Sequence, residues 1–302
     1  MIPAGTTVTV TVPATSANLG PGFDTLGLAL GLRDELTAEV VGPEGPELTV
    51  DVSGEGAAEV PDDASHLVVR ALDLACAHLG VSRPHLRLAC TNRVPHGRGL
   101  GSSAAATVAG VLLARGLFGA ELDDDALLDL ATAIEGHPDN AAACLLGGLT
   151  IAWQDAAGVH AVRSDVHPDV RTVALVPPTA LSTATARGLL PATVPHSDAA
   201  FTAGRAALLV EALTRRPDLL LAATEDRLHQ HYRAVAMPET AAVLGDLRAR
   251  GVAAVVSGAG PSVLVLLGEA GAFDDAVPAG WRTVTAPVDD EGATVRRWPP
   301  PD

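Results

Sequence analysis

Hydrophobic side chains change their spacing along the chain, and each spacing predicts a different element. Between residues 8 and 12, valine alternates with threonine, a two-residue period that predicts a strand ending at Pro13. A polar, glycine-rich turn is expected from residue 14 to residue 24, where the alternation is lost. In residues 65–79 the apolar side chains recur every three or four positions, which predicts a helix with Ser65 as its N-cap.

Similar patterns extend through the rest of the chain. Three aspartates at residues 123–125 open a predicted helix that Gly136 ends, and another helix begins at Asp139. Further helices are predicted over residues 102–117, 197–215 and 219–233, and strands over residues 26–41, 85–91, 149–153, 172–176, 252–256, 263–267 and 281–286. No internal repeat is present, and the mixture predicts an α+β fold with two domains, residues 1–155 and 156–302.

Composition narrows the possible partners. The formal net charge is −16, which argues against nucleic acid and against an anionic membrane surface, because both attract clustered positive charge. All 20 basic residues are arginine, so a lysine-containing phosphate loop and a lysine-bound pyridoxal cofactor are excluded. An anionic ligand must therefore be held by arginine, backbone N–H groups, a helix N-terminus or a metal ion.

The cysteines and the N-terminal segment give information about the cellular compartment of the protein. Cys76, Cys90 and Cys144 are odd in number, widely spaced and set among apolar neighbours, so neither a zinc site nor a disulfide framework is indicated. The N-terminal residues lack a basic region followed by an apolar run, and no apolar stretch reaches membrane-spanning length. These features predict a cytoplasmic protein that does not act on membranes.

A glycine-serine segment is the first candidate for chemistry. Gly99 and Gly101 allow the backbone to approach a ligand without obstruction by a Cβ atom. Ser102 and Ser103 then begin a predicted helix, whose free N–H groups and dipole favour an anion. The segment predicts a phosphate site that needs no lysine.

The same glycines allow a second interpretation. Gly99 and Gly101, with Ala104, match the spacing of a dinucleotide-binding fingerprint, and Glu121 follows at the distance of its acidic residue. That fingerprint requires a strand leading directly into the turn, whereas Pro95 and a polar loop intervene here. A dinucleotide-binding oxidoreductase therefore stays open as the weaker alternative.

Three further clusters carry charged or constrained residues. Glu135 ends one predicted helix, and Asp139 with Asn140 opens the next, an arrangement that suits Mg²⁺. The segment from Pro13 to Asp24 holds two glycines and two prolines, more constraint than a surface turn needs, and indicates a ligand loop. Arginine side chains bind carboxylates in a bidentate manner. Two candidates for that role are Arg187 and Arg233.

Together these segments resemble the GHMP family of small-molecule kinases, and most of all its members that phosphorylate homoserine. The segments that carry the resemblance are residues 13–24, 95–104, 135–140, 182–191, 226–233 and 257–262. The resemblance implies an N-terminal domain like the second domain of ribosomal protein S5 and a ferredoxin-like C-terminal domain. It also implies ATP-dependent transfer to an alcohol group in threonine biosynthesis, with ATP and Mg²⁺ as cofactors, and a homodimer.

The resemblance implies a role for each matching residue. Those expected to bind ATP are Pro95, Gly97, Arg98, Gly99, Leu100, Gly101, Ser102 and Ser103. Those expected to bind L-homoserine are Asn18, Asp24, His137, Arg187 and Arg233, with Asp24 near the ammonium group and the arginines near the carboxylate. Ser102 and Glu135 are expected to hold Mg²⁺. The residues expected at the reacting centre are Asn140, Asp139, Thr183 and Arg233.

Several points stay open. His66 stands where the family usually has asparagine, which leaves the adenine contacts undefined. Asp139 is a candidate base, but a dissociative transfer demands little activation of the nucleophile, so the proton can instead pass directly to the phosphate. Another GHMP kinase, and a regulator that binds ATP or an amino acid without turnover, are further alternatives.

Overall fold

The computed structural model describes residues 2–119, 122–269, 273 and 277–300; Glu121 of the dinucleotide interpretation lies outside them. Within the described residues, the first half of the chain has three strands before its first helix, and one strand between that helix and three consecutive helices. In chain order these elements are β1 (Thr7–Asn18), β2 (Gly22–Val40), β3 (Leu48–Gly54), α1 (Leu67–His78), β4 (Leu86–Asn92), α2 (Ser102–Phe118), α3 (Asp124–Glu135), α4 (Asp139–Leu146), β5 (Leu149–Asp155) and β6 (Gly158–Ser164).

The second half continues with strands of three to six residues and with helices of up to 19 residues. In chain order they are β7 (Arg171–Val176), α5 (Thr183–Gly188), α6 (His196–Thr214), α7 (Leu220–Ala223), α8 (Gln230–Arg233), α9 (Pro238–Ala249), β8 (Ala254–Val256), β9 (Val263–Leu267), β10 (Arg282–Thr285) and β11 (Thr294–Trp298). A short 3₁₀ turn at Pro217–Leu219 precedes α7, and another at Ala234–Ala236 follows α8.

Two sheets organise the described residues. The first has seven strands in the order β11-β1-β2-β4-β3, and β5 pairs with β2 and carries β6. The second is an antiparallel sheet in the order β10-β7-β9-β8. The α+β class is confirmed. The division at residues 155 and 156 stays a prediction; β6 and β11 both pair within the first sheet.

The first core forms between the seven-stranded sheet and α1 to α4. The alternating Val8, Val10 and Val12 are fully buried, as a strand with one face on the core requires. They pack with the buried side of α2, whose alanines and leucines allow close helix–sheet contact. This packing fixes α2, and hence its N-terminus at Ser102, rigidly against the sheet.

Two predicted boundaries are wrong near the N-terminus. β1 continues past Pro13 to Asn18, because a register shift between Pro13 and Ala14 accommodates the missing N–H group of the proline. The N-cap of α1 is His66, whose Nδ1 accepts from the N–H of Val68 at 3.3 Å. The hydroxyl of Ser65 instead donates to Asp63.

The helix predicted over residues 219–233 is also interrupted. It divides into α7 and α8, and the carboxylate of Asp226 between them accepts the N–H groups of Leu228, His229 and Gln230. The intervening turn therefore has its own hydrogen bonds, so continuing the helix is unnecessary. The elements predicted from the sequence do not include β3, β6, β11, α5 or α9.

The cysteines are unpaired and buried. Burial raises the pKa of Cys76 to about 11 and that of Cys90 to about 12, so both thiols are protonated at neutral pH. Among the described residues, no helix has the length and apolar character needed to cross a membrane.

Candidate active site

The glycine-serine loop connects β4 to the N-terminus of α2. Gly101 is the N-cap residue and has a φ of 72°, a conformation that favours glycine, and a Cβ atom there would collide with the hydroxyl of Thr15. No side chain caps α2, so its first N–H groups have no partner of that kind. The positive end of the helix therefore faces the loop and can receive an anion.

The loop is fixed by two other segments. The hydroxyl of Ser257 donates to the carbonyl of Gly99 at 2.6 Å and lies 2.8 Å from the hydroxyl of Ser16. The backbone N–H of Thr15 donates to the carbonyl of Leu100 at 3.0 Å. Because these contacts come from β1 and from the turn between β8 and β9, the geometry of the loop is set before any ligand binds.

Arg98 has a structural use for its side chain. Its guanidinium donates to the carbonyls of Pro177, Pro178 and His96 at 3.1, 2.7 and 2.6 Å. The side chain therefore joins the loop to the end of β7. Arg98 can then contact a phosphate only through its backbone.

Glu135 lies at the C-terminal end of α3, beside the N-terminus of α2. Its two carboxylate oxygens accept from the hydroxyls of Ser103, at 2.5 Å, and Thr107, at 2.9 Å. Sequence analysis missed Thr107, which lies one helical turn beyond Ser103 on the same face of α2. Glu135 is thus held in one orientation by two hydroxyl groups.

This group of oxygen atoms suits a hard cation such as Mg²⁺. Glu135, Ser102 and Ser103 line the same cavity. Within the described residues, no three His, Cys, Asp or Glu side chains come together as a metal cluster. An ion bound by Glu135 and a serine hydroxyl would have to complete its coordination with phosphate and water oxygens, as Mg²⁺ commonly does.

A second acidic group lies at the start of α4. Asp139 is buried, and its Oδ1 accepts from Nδ1 of His137 at 2.7 Å and from the N–H of Asn140 at 2.8 Å. The hydrogen bond to Asp139 raises the pKa of His137. The hydroxyl of Thr15 donates to Oδ1 of Asn140 at 2.8 Å, and the amide N–H₂ of Asn140 makes only a long contact, 3.5 Å, with Oδ1 of Asp139. Sequence analysis did not identify Thr15.

The turn from β1 to β2 holds a strained backbone. Asn18, Leu19 and Asp24 have φ values of 67°, 49° and 54°, which non-glycine residues adopt rarely and at a cost of about 1–3 kcal/mol each. Asn18 stabilises this conformation, because its amide donates to the carbonyl of Gly258 at 2.7 Å and accepts from the N–H of Asp24 at 3.0 Å. Such strain is typical of ligand-binding turns.

Asp24 and Arg187 form a bidentate ion pair. The two contacts are 2.6 and 2.9 Å long, and each side chain is 35% exposed. The hydrogen bond to Asp24 raises the pKa of Arg187. Sequence analysis assigned these residues to opposite ends of a substrate, whereas in this structure each contacts the other.

Arg233 has a different environment. It is only 1% exposed, and its Nη1 donates to Nδ1 of His229 at 3.1 Å and to the carbonyl of Gly258 at 3.2 Å. Its Nε is buried and has no hydrogen-bond partner among the described residues. Burial is the main cause that lowers the pKa of Arg233, and the nearby charge of Arg187 adds to the effect. The ring of Phe23 lies within 6 Å of both guanidinium groups.

A cavity of about 150 Å³ joins these groups. Most of the residues predicted for the site line it: Asn18, Gly97, Gly99, Gly101, Ser102, Ser103, Glu135, His137, Asp139, Asn140, Thr183, Arg187 and Arg233. Thr183 begins α5, whose N-cap Ser182 accepts from the N–H of Thr185. The predicted residues outside the lining are Pro95, Arg98, Leu100 and Asp24.

A second cavity, of about 220 Å³, shares Ser102 and Ser103 with the first. Its accessible surface is mainly apolar, and the polar side chains that line it, besides the two serines, are Asp34, Ser65, His66, Asn92 and His96. Burial lowers the pKa of His66, so the ring is neutral at physiological pH. Sequence analysis noted His66 but did not predict an enclosed space beside it.

Comparison with known proteins gives a consistent result. Residues 66–148 match the GHMP kinases N terminal domain, and residues 200–282 match the GHMP kinases C terminal family. The homoserine kinase of Streptomyces avermitilis is 55% identical over 293 residues, covering 95% of this chain and 95% of the relative. That of Clavibacter michiganensis is 54% identical over 301 residues, covering 97% of this chain and 95% of the relative.

Solved structures agree with this result. The crystal structure of homoserine kinase from Cytophaga hutchinsonii has a TM-score of 0.82 and 26% identity, covering 96% of this chain and 97% of that chain. The L. major mevalonate kinase has a TM-score of 0.65 at 16% identity, covering 97% of both chains, and supports the fold alone.

The fold and the loop at the N-terminus of α2 define a kinase that uses ATP as a substrate. The chain belongs to the GHMP kinase family and has its two-domain fold. The dinucleotide interpretation is not favoured, because the strand β4 is separated from Gly99 by residues 93–98.

Proposed function

We propose that this kinase transfers the γ-phosphoryl group of ATP to the side-chain hydroxyl of L-homoserine, forming O-phospho-L-homoserine in threonine biosynthesis. The similarity to homoserine kinases over nearly the whole chain supports this substrate. The structural observation that carries the proposal is the buried guanidinium of Arg233, which lines the cavity without an ion-pair partner among the described residues.

The unused part of Arg233 suits a carboxylate. His229 and Gly258 occupy Nη1, so Nε and Nη2 form the edge that remains. Arg33 uses the same edge in this protein, since its Nε and Nη2 bind the carboxylate of Asp289 at 2.6 and 2.7 Å. A substrate carboxylate would receive an equivalent pair of hydrogen bonds from Arg233.

Asp24 and Arg187 would hold the other charges of the amino acid. Opening their ion pair would expose a carboxylate for the substrate ammonium group and a second guanidinium for its carboxylate. Asn18 and His137 line the same space and complete the proposed homoserine site. An acceptor with an ammonium group and a carboxylate can replace the contacts that Asp24 and Arg187 lose when their ion pair opens, whereas an uncharged alcohol cannot.

On the phosphate side, we assign ATP binding to residues 95–103. The free N–H groups at the start of α2 would bind phosphate oxygens, and the second cavity, next to Ser102, has the apolar walls that a purine requires. Glu135 and the hydroxyl of Ser102 or Ser103 would hold Mg²⁺. When bound, Mg²⁺ would supply charge neutralisation on the phosphates.

Asn140 and Thr183 are proposed to orient the acceptor hydroxyl. The amide N–H₂ of Asn140 is directed by the bond from Thr15 to its oxygen, and Thr183 lines the cavity. Oδ1 of Asp139 already accepts two short hydrogen bonds, which favours a role in orienting His137 and Asn140 over a role as base. The hydroxyl proton would then pass to the phosphate.

The test is ADP release with L-homoserine, mevalonate and L-serine as acceptors. A higher kcat/KM for L-homoserine than for the other two is expected. Equal or lower activity with L-homoserine would contradict the substrate assignment and leave the family assignment intact.

A homodimer and a cytoplasmic location remain proposals as well. Light scattering on the purified protein tests the first, and fractionation of cells that express the tagged protein tests the second.

A further inference from the structure

We propose that His229 is a positioning residue for acceptor recognition, because it fixes the guanidinium of Arg233 so that the Nε–Nη2 edge is presented to the acceptor carboxylate. This inference rests on the proposed function and adds a residue to which neither the family resemblance nor the comparisons gave a role. His229 does not line the cavity and acts only through Arg233.

Both ring nitrogens of His229 are used. Nε2 lies 2.7 Å from the carbonyl oxygen of Gly20, and Nδ1 lies 3.1 Å from Nη1 of Arg233. The ring is fully buried and stacks at 5.3 Å from the ring of Phe23. His229 therefore has little freedom to rotate, and it connects the turn between β1 and β2 with α8.

The partners decide which nitrogen carries the proton. A carbonyl oxygen can only accept, so Nε2 must donate to Gly20. The guanidinium of Arg233 can only donate, so Nδ1 must accept. The geometry requires a neutral imidazole with its proton on Nε2, and a protonated ring would set two donors against each other.

The electrostatic surroundings agree with a neutral ring. Burial is the main cause that lowers the pKa of His229, and the charge of Arg233 acts in the same direction, against Asp226 and Asp24. Asp226 lies 3.7 Å from Nε2, but its carboxylate oxygens accept backbone N–H groups at the start of α8. Those bonds hold the backbone that carries His229.

A neutral partner has a specific advantage over a carboxylate. Arg187 is neutralised by Asp24 and must break an ion pair before it binds a substrate anion. Arg233 is oriented by His229 and by the carbonyl of Gly258 without losing its charge to a counter-ion. The resulting guanidinium is fixed and desolvated, and among the described residues it has no direct ion-pair partner, which favours binding of a carboxylate.

Two substitutions separate the two hydrogen bonds. His229→Asn keeps an acceptor oxygen near the position of Nδ1 and removes the donor to Gly20. His229→Gln keeps a donor near the position of Nε2 and removes the acceptor for Arg233. If His229 orients Arg233, the KM for L-homoserine rises about tenfold in the Gln variant, the loss of about one hydrogen bond to a charged group, and much less in the Asn variant.

The acceptor 3-aminopropan-1-ol, which is homoserine without its carboxylate, provides the specific readout. The Gln variant should phosphorylate it as well as the unsubstituted enzyme does, with an unchanged KM for ATP. In an Arg233→Ala background, His229→Gln should lower kcat/KM for L-homoserine no further, because the two residues act as a unit. Equal losses with both acceptors, or a full additional effect in that background, would overturn the inference.

A measurement on the unsubstituted enzyme avoids any folding defect. Nitrogen-15 NMR of the histidine rings should show His229 as the neutral tautomer protonated on Nε2, with and without L-homoserine. Protonation on Nδ1, or an imidazolium signal at neutral pH, would overturn the inference. Failure of the proposed function would look different: the unsubstituted enzyme would then not prefer L-homoserine to 3-aminopropan-1-ol.

Discussion

The two sides of the cavity are built in different ways. The phosphate wall, residues 95–103, is one continuous segment that offers glycines, backbone N–H groups and a helix N-terminus. The acceptor wall consists of the side chains of Asn18, Arg187 and Arg233, which line the cavity and come from three distant segments, and Arg187 is paired with Asp24 outside the lining. A phosphate can be bound by backbone alone, whereas selecting an acceptor requires charged side chains held in defined orientations.

Because of this difference, we expect a substitution in one wall to weaken binding of its own ligand and to leave binding at the other wall unchanged. Packing of α2 against the first sheet fixes the phosphate wall. The acceptor wall depends on side-chain contacts with residues such as His229 and Gly258. Substitutions on each side should therefore separate the KM for ATP from the KM for the acceptor.

The largest effect is expected for Arg233→Lys. Lysine cannot offer two parallel N–H groups to the substrate carboxylate, so the charge of that carboxylate is poorly matched in the buried site. We therefore expect kcat/KM for L-homoserine to fall about 1,000-fold, which corresponds to about 4 kcal/mol of transition-state stabilisation. Steady-state kinetics measure this loss. The matched control is Arg216→Lys, whose bidentate partner Asp218 is exposed and distant, and which should change kcat/KM less than twofold. Similar losses in both variants would remove the special role of Arg233.

Glu135→Gln should have the next largest effect, on the phosphate side. Loss of the carboxylate charge should lower kcat about 100-fold and raise the Mg²⁺ concentration needed for half-maximal activity. Rates measured across a Mg²⁺ titration test this, with Glu211→Gln in an exposed ion pair as control. An unchanged Mg²⁺ dependence would contradict the metal assignment.

Gly101→Ala should raise the KM for ATP about tenfold. The added Cβ meets the Thr15 hydroxyl, and alanine at positive φ costs about 1–3 kcal/mol. Gly80→Ala is the matched control, because Gly80 also has positive φ, 69°, but has open space around its Cβ position. Equal KM values for ATP in the two variants would show that the N-cap position of α2 has no specific role in binding ATP.

The smallest effect concerns pH. The pKa of His137 is raised above its ordinary 6.5 by its hydrogen bond to Asp139, so the stabilising contribution of His137 is full below that value and is lost as the pH rises through the raised pKa. The difference in unfolding free energy between the unsubstituted enzyme and His137→Gln should therefore be largest below pH 6.5 and shrink as the pH rises above it. Urea unfolding below and above this pH measures it. A difference that grows with pH would mean that Asp139 does not stabilise the protonated ring of His137.

More of the phosphate wall than of the acceptor wall could be predicted from the sequence. The start of α2 at Ser102 was predicted correctly, because glycines, serines and an alanine-rich helix are neighbours in the chain. The ends of β1 and α7 were not, since a bulge at Pro13 and the carboxylate of Asp226 decide them. Propensity is a weak guide where side-chain hydrogen bonds compensate for a broken pattern.

On the acceptor wall, the residue types were predicted but their pairing was not. Asp24 and Arg187 are 163 positions apart, so spacing in the sequence carries no signal for their ion pair. His229 and Arg233 are only four positions apart, a spacing that allows contact on a helix, but the spacing alone does not show that the imidazole accepts from the guanidinium. Thr15 and Thr107 were missed for the same reason. Each acts through a neighbour, Asn140 or Glu135, that comes from a distant segment.

The independence of the two walls is tested most directly by calorimetric titration of Arg233→Lys with L-homoserine and, separately, with a non-hydrolysable ATP analogue. The account predicts that homoserine binding becomes too weak to measure, while the dissociation constant of the analogue stays within about twofold of that of the unsubstituted enzyme. Parallel weakening of both ligands, or undiminished homoserine binding, would contradict it.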